Sequence, residues 1–387
     1  MKVIIITHHY LDDNSGGSFA SRAYINAFSE IADTCMLLFP DRGIPISNYI
    51  HMKCIQIGVR NNRTKIQKFI DIYRGRIHRY TDILIPQIQK FKPDIVVFDN
   101  SITSAGMLKR VKSTGVKIVI IHHNYEMEYY KGTKPFFAWR IPFMHALEEA
   151  EKIAVQNSDL NLTLTEEDKS LLQKHYDPFK LKKVVKLGCF EPGIVSISTN
   201  IKEKTINQIP KKNICFVITG TLGDHQTEVS LIPFLENEYP LLLKLLPKSK
   251  LIIAGRNPTA KIVNACSKYP SIDLIENPEN MQDVISKADV YICPTSVGGG
   301  LKLRIMDGLK AGLPVLAHSV SARGYDAFQD AGYLFSYFDA GSFDVALKKI
   351  IELNKAADTS KKIIDLYNLN FSFESGVDRI RKIIATI

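Results

Sequence analysis

Short runs of consecutive apolar residues recur along the chain, and the stretches between them repeat apolar positions every three or four residues. Val3–Thr7 is a continuous β-branched run, the pattern of a strand buried on both faces. Cys35–Phe39, Ile95–Phe98, Val119–Ile121 and Leu160–Thr165 repeat it at intervals that leave room for helices, and Phe19–Ile31 and Ile102–Lys112 carry the helical pattern between them. From Phe190 the alternation lapses into Pro192-Gly193 and a polar, lysine-rich run, which reads as a linker over 191–212. It restarts in Ile214–Thr219, Leu251–Ala254, Ile272–Leu274, Val290–Cys293, Val315–Ala317 and Gly332–Phe335. The last stretch, Ser372–Ile387, sets Val377, Ile380, Ile383 and Ile384 on one helical stripe. Strand and helix in alternation predict parallel sheets covered on both faces, with right-handed crossovers. The expected architecture is α/β, two Rossmann-like domains in tandem (1–190 and 213–371) followed by a closing helix (372–387).

Composition narrows this only slightly. A chain of 387 residues with 45% hydrophobic and 23% charged positions is ordinary for two globular domains and excludes disordered, collagen-like and coiled-coil classes. The six cysteines form no Cys-x-x-Cys pair and sit mostly in apolar surroundings, so they read as reduced core residues without metal or disulfide. No run of eighteen uncharged apolar residues occurs, and the apolar run at the start is too short for a secretory signal, so the expected location is cytoplasmic.

Charge changes the picture more. Of the net +10, an excess of eight falls between Lys53 and Lys92, where ten Lys and Arg (53, 60, 63, 65, 68, 74, 76, 79, 90, 92) face only Asp71 and Asp82. A solvated helix face accounts for such a run; the sharper reading is a surface for anionic lipid headgroups or a phosphorylated acceptor. Few aromatics interleave it and no nucleic-acid motif accompanies it, so nucleic acid is not an expected partner.

In parallel sheets ligands lie at the carboxyl ends of the strands, so the loops that follow strands carry the candidate chemistry. The first, His8-His9-Tyr10-Leu11-Asp12-Asp13-Asn14-Ser15-Gly16-Gly17-Ser18, has neither a Gly-x-Gly-x-x-Gly fingerprint nor a Walker lysine, which counts against hydride transfer and P-loop hydrolysis. Gly16-Gly17 serves either a simple turn or the approach of a ligand to a helix N-terminus. The segment after Pro294 is more specific. Gly298-Gly299-Gly300 leads into a helical stretch and exposes backbone N–H groups at its positive end, a cradle for a pyrophosphate. Lys302 adds a mobile cation. Arg304, two positions on, points to another face and does not grip the same phosphate. Asp307, about 1.5 turns in, can accept ribose hydroxyls. Singly, Lys302 and Asp307 read as ordinary helix-surface residues; beside three glycines they point to a nucleoside-diphosphate site.

These segments resemble the group 1 glycosyltransferases, numbered family four, which are retaining nucleotide-sugar enzymes of the two-Rossmann GT-B architecture. The resemblance runs over nearly the whole chain and is strongest from Ile214 to Asp326. Ile214–Leu222 with Thr227 resembles the opening strand and loop of the nucleotide-binding half, and Leu251–Pro258 its "GRNP" segment. Ser286–Pro294 is similar to the "aDvyi.P" strand and Gly299–Val315 to the "GGTRLKILEAMAxGxPV" form; Ala331–Leu334 and Phe371–Ile387 also fit. In this fold the last helix returns to brace the first domain.

The resemblance implies sugar transfer from a nucleoside-diphosphate sugar, UDP-sugar favoured, with anomeric configuration retained and no cofactor. It implies a ribose-binding acid at Asp307, one methylene shorter than the usual glutamate. Diphosphate-binding N–H groups fall at Leu301, Lys302 and Leu303, and Gly16, Gly17, Gly220, Arg256, Gly299 and Gly300 complete the donor-binding set. Ile120-Ile121-His122-His123-Asn124-Tyr125-Glu126 resembles the "HNVE" segment, which puts the catalytic histidine at His123 and an acceptor-side contact at Glu126. No Asp-x-Asp occurs, so no metal is expected. Two departures stand out. Gly299 occupies the place of the first glutamate of the family's pair, and Gly220-Thr221-Leu222-Gly223-Asp224-His225 replaces an Arg/Lys pair. They motivate an alternative, a catalytically degenerate nucleotide-sugar-binding or partner-binding protein of the same fold; a nucleotide-sugar 2-epimerase ranks third. With the basic segment, the expected acceptor is a growing cell-surface glycan or lipid-linked glycan, met at the inner face of the membrane.

Overall fold

The computed structural model describes residues 1–50, 53–60, 64, 66–67, 70, 80–102, 104–133, 140–193, 213–353 and 358–387. The first sheet contains β1 (Lys2–Thr7), β2 (Thr34–Pro40), β3 (Cys54–Val59), β4 (Ile95–Asp99), β5 (Lys117–His122), β6 (Leu160–Thr163) and β7 (Val184–Lys186), in the spatial order β3-β2-β1-β4-β5-β6-β7. The second contains β8 (Cys215–Thr221), β9 (Lys250–Arg256), β10 (Ile272–Glu276), β11 (Val290–Cys293), β12 (Val315–His318) and β13 (Leu334–Tyr337), ordered β10-β9-β8-β11-β12-β13. Every described pairing is parallel.

Both sheets are doubly wound, and the strand order reverses between β1 and β4 in one and between β8 and β11 in the other. At such a point the flanking helices diverge and leave a crevice at the carboxyl ends of the strands. The α/β two-Rossmann arrangement expected from the sequence is the one observed.

The central strands form where apolar runs are unbroken. Val3, Ile4, Ile5 and Ile6 are fully buried, and each such side chain contributes roughly 1.5–3 kcal/mol over an exposed one. Register then sets the site: Thr7 pairs with Asp99 and Asp99 with Ile121, so β1, β4 and β5 end level with one another. The edge strands β3 and β7 carry mixed sequences and no continuous apolar run.

The helix Gly16–Ile31 follows β1. It is capped by Ser15, whose hydroxyl accepts from the N–H of Ser18 at 3.2 Å. The expected helix over 102–112 begins at Ala105. The final helix, Phe373–Ile384, is capped by Ser372 and packs on Gly16–Ile31, burying Val377 and Ile380. Its Arg379 donates to the carbonyl of Cys189 at 3.2 Å, so the end of the chain touches the first domain.

Of the expected linker, residues 194–212 lie outside the described residues. So do positions 63, 65, 68, 74, 76 and 79 of the basic segment; its Lys53, Arg60, Lys90 and Lys92 are described. Among the described residues no helix is long and apolar enough to cross a membrane.

Candidate functional site

The level ends of β1, β4 and β5 assemble a buried polar cluster around Asp99, which is 1% exposed. One carboxylate oxygen accepts from the hydroxyls of Thr7 at 2.7 Å and Ser21 at 2.5 Å; the other meets Nε2 of His123 at 2.5 Å. Burial pushes the Asp99 carboxyl up, but the His123 imidazolium overrides this and holds it well below the usual carboxylate range. Burial likewise pulls His123 down, yet the Asp99 charge and hydrogen bond raise it above an ordinary histidine. The two form a charge-assisted pair at the floor of the crevice.

His9 stacks on His123 with ring centroids 5.2 Å apart, and its Nε2 is buried without a partner among the described residues. Burial, then the neighbouring His8 and His123, hold it neutral. Its ring fills the space a side chain at Gly17 would need: a Cβ there would lie 2.3 Å from the imidazole. Gly17 therefore admits the His9 ring beside His123, and Gly16 next to it lies against Leu303 of the second domain.

Glu126 opens the helix Glu126–Thr133 and is 2% exposed. Its N–H donates to Glu151 at 3.1 Å; burial and then the Glu151 charge raise the Glu126 carboxyl, while burial, helped by Asp168 and Glu148, raises that of Glu151. The acceptor-side role expected for Glu126 meets a residue enclosed in the domain, with Asn100 as its side-chain partner at 3.3 Å. Asp168, also buried, accepts from the N–H of Tyr125 at 2.9 Å and the hydroxyl of Thr165 at 2.6 Å, and faces the N–H of Gly300 across the domain seam.

The second wall is the loop between β11 and the helix Arg304–Lys310. Gly300 has φ +69°, and a Cβ on it would lie 2.1 Å from Oδ1 of Asn124 and 2.8 Å from the carbonyl oxygen of His123. Glycine is required there for conformation and for space. Gly299 sits against Tyr125 and Glu128, so the loop docks directly on the segment that carries the catalytic candidate. Among the described residues, the N–H groups of Leu301, Lys302 and Leu303 donate to no backbone carbonyl.

Lys302 differs from its expected role. The helix starts at Arg304, two residues later, and Lys302 turns inward, 7% exposed, to donate from Nζ to the carbonyl of Gly299 at 2.8 Å. Burial, helped by Arg304, pushes its ammonium down to about 8. It holds the shape of the glycine loop instead of reaching out of it. Arg304, set aside on spacing grounds, lies against Gly220 at the end of β8: a Cβ at Gly220 would be 2.7 Å from its guanidinium. Asp307 lies on the first turns of the same helix, pushed up to about 6 by burial and then by Glu191. Arg256 is exposed and donates to the carbonyl of Asn14 at 3.3 Å, which ties the end of β9 to the first glycine loop.

The domains are further joined by ion pairs between Arg323 and Glu128 at 2.9 Å and between Lys186 and Asp326 at 2.7 Å. Among the described residues, no three His, Cys, Asp or Glu side chains gather in a metal-ligating arrangement. Asp99, which directly follows the apolar run Ile95–Phe98, was not singled out from the sequence, and His9 was given no role there. The signal for Asp99 was its place at the carboxyl end of a central strand next to the switch point.

Residues 213–353 match the model of a family described as glycosyl transferases group 1. No curated protein matches the chain. Among solved structures, the chain is similar to sucrose-phosphate synthase from Thermosynechococcus elongatus, at 12% identity and a TM-score of 0.68 over 100% of this chain and 99% of that one. It is similar to HepE from Anabaena in complex with UDP-glucose, at 11% identity and a TM-score of 0.66 over 100% of both chains. A third likeness is to an E. coli structure titled trehalose-6-phosphate bound with UDP-2-fluoro glucose, at 11% identity and a TM-score of 0.65 over 100% and 99% of the chains. At these identities the likeness establishes the fold, two Rossmann-like domains in the GT-B arrangement.

Proposed function

We propose, from the match of residues 213–353 to the model of the group 1 glycosyl transferases, that the chain transfers a sugar from a nucleoside-diphosphate sugar, UDP-sugar favoured, to a glycan or lipid-linked acceptor. The transfer retains configuration, needs no metal or cofactor, and belongs to cell-surface polysaccharide synthesis at the inner face of the membrane. The observation that carries this reading is the meeting of the Asp99–His123 pair with the glycine loop, where the carbonyl of His123 faces Gly300 across the seam. The UDP and UDP-glucose named in the titles of similar structures support the choice of nucleotide.

In this reading the N–H groups of Leu301, Lys302 and Leu303 and the Arg304 guanidinium receive the diphosphate. They stabilise the charge that grows on it as the bond to the anomeric carbon breaks. Asp307 accepts the ribose hydroxyls. With Nε2 of His123 engaged by Asp99, Nδ1 is left for a sugar hydroxyl. Because the pair is neutral overall, it does not oppose the positive charge of an oxocarbenium-like state. The acceptor proton passes to the departing diphosphate oxygen, so no second carboxylate is needed.

A panel of UDP, GDP, ADP, CMP and their sugar conjugates, with and without EDTA, tests the reading by thermal shift. Binding at ~100 times Kd adds about 2.7 kcal/mol, enough to move the midpoint by a few degrees. One nucleoside diphosphate standing out, unaffected by EDTA, is the expected result; no shift with any of them sinks the proposal. A nucleotide-sugar binder without turnover is the second reading, favoured by the inward bond of Lys302. His123→Ala separates the two, since an enzyme loses turnover while keeping the nucleotide shift, whereas a binder has no turnover to lose.

A further inference from the structure

All seven strands of the first sheet run in one direction, so the loops that enter them lie along a single edge, opposite the edge that carries His123. Acidic side chains on that entry edge are engaged by N–H groups of the protein, although Asp33, Asp94 and Asp159 are themselves exposed and Asp177 alone of the four is buried. Asp94 accepts from the N–H of Lys2 at 2.7 Å, Asp159 from that of Ile118 at 2.8 Å, and Asp177 from those of Leu181 and Lys182 at 2.9 and 2.8 Å. Asp33 holds the N-terminal ammonium.

The cations of the same edge face water. Lys92, Lys112, Lys117 and Lys180 are exposed, and Arg110 and Lys174 close helices that end there. Helix dipoles account for Arg110 and Lys174. They do not account for Lys117 or Lys180, which lie beyond the helices, although Lys117 also reaches Asp159 at 3.9 Å.

At the apex of the loop entering β7, Phe179 is 83% exposed and Leu181 80%. The turn is built to present them. The Asp177 carboxylate accepts from the N–H groups of Leu181 and Lys182, and Lys180, between Phe179 and Leu181, takes a left-handed φ of +52°. The result is two apolar tips with a lysine between them. A groove of about 910 Å³ opens on the same edge, where Arg110, Lys92 and Lys117 stand beside Ile85, Ile88 and Val116.

We propose that this edge docks on an anionic phospholipid bilayer, with Phe179 and Leu181 entering the acyl boundary and the lysines at headgroup level. The chemistry fits a bilayer better than an acidic protein. The cations are mostly lysines spread over several loops, point charges without the planar fork that fixes a carboxylate. Phe179 and Leu181 protrude as an apolar wedge flanked by cations, the shape that enters an acyl boundary. The inference stands apart from the transfer reaction, because vesicle binding needs neither donor nor turnover.

Flotation of the full chain with phosphatidylcholine/phosphatidylglycerol vesicles tests it. Binding at low salt, weakened by salt and absent on phosphatidylcholine alone, is expected. Phe179→Ser with Leu181→Ser should lower the partition roughly a hundredfold, about tenfold for each apolar side chain. Lys180→Gln and Lys117→Gln should each cost about fivefold. All these side chains are exposed, so the unfolding midpoint and any nucleotide-induced shift should not change. Absence of vesicle binding, or a double variant that floats like the parent, overturns the proposal. So does binding to polyglutamate without binding to vesicles, which would give the face to an acidic protein. A concentration-dependent dimer abolished by the double variant would give it to a second copy of the chain.

Discussion

Replacing Asp99 by Asn keeps the shape of the side chain and removes one charge from a buried site. The lost interaction is a charge-assisted hydrogen bond to His123, worth about 1.5–3 kcal/mol. In a domain of this size that corresponds to a fall in unfolding midpoint of roughly 3–10 °C. The pH dependence is the sharper signature. Because the folded pKa of His123 is raised, its stabilising contribution is fully present below the unfolded value of about 6.5 and is lost as pH rises through the folded value. Because that of Asp99 is depressed, its contribution is present above about 3.9 and is lost as pH falls through the folded value. The complete pair therefore stabilises most between about pH 4 and 6.5. Below 6.5 the variant must either bury an unpaired imidazolium or expel its proton, a cost absent when the unfolded histidine is already neutral. Thermal unfolding of both proteins at pH 5.5 and 8.5 should show the larger deficit at the lower pH, with the His123 ring titrating lower in the variant by NMR. An equal deficit at both values, or none, would refute the charged pair.

Two further outcomes follow from the second wall. Gly300→Ala imposes both a strained φ and a clash with Asn124 and the His123 carbonyl; it should cost about 2 kcal/mol or more and abolish the nucleotide-induced thermal shift, as read by differential scanning fluorimetry. Asp307→Asn should raise the unfolding midpoint at pH 7.5 and leave it nearly unchanged at pH 4. The folded carboxyl titrates at about 6, so its ionisation is disfavoured only as pH rises past the unfolded value; a midpoint gain at both pH values would show that another effect is responsible. The same variant should bind nucleotide more weakly.

The sequence carried the central strands plainly, because a strand covered on both faces has no polar positions to interrupt its apolar run. Val3–Ile6 is the clearest case. The edges were harder: Cys54-Ile55-Gln56-Ile57-Gly58-Val59 pairs along only one side and needs no unbroken apolar run, so β3 carried no readable signal. At the site, the glycine loop was legible because three adjacent glycines are costly unless backbone must come close. The Asp99–His123 pair was half legible. His123 stood out by its segment, while its partner, twenty-four residues earlier, is brought to it only by the pairing of β4 with β5. The orientation of Lys302 could not be read from spacing, since it depends on where the helix begins.

The one-way run of the first sheet also sets how far the reaction lies from anything held at the opposite end. The six residues of β1 alone span about 20 Å. A chain seated by its entry edge would hold its cleft away from the bilayer surface. Seating on the membrane and the cleft then occupy opposite ends of one domain.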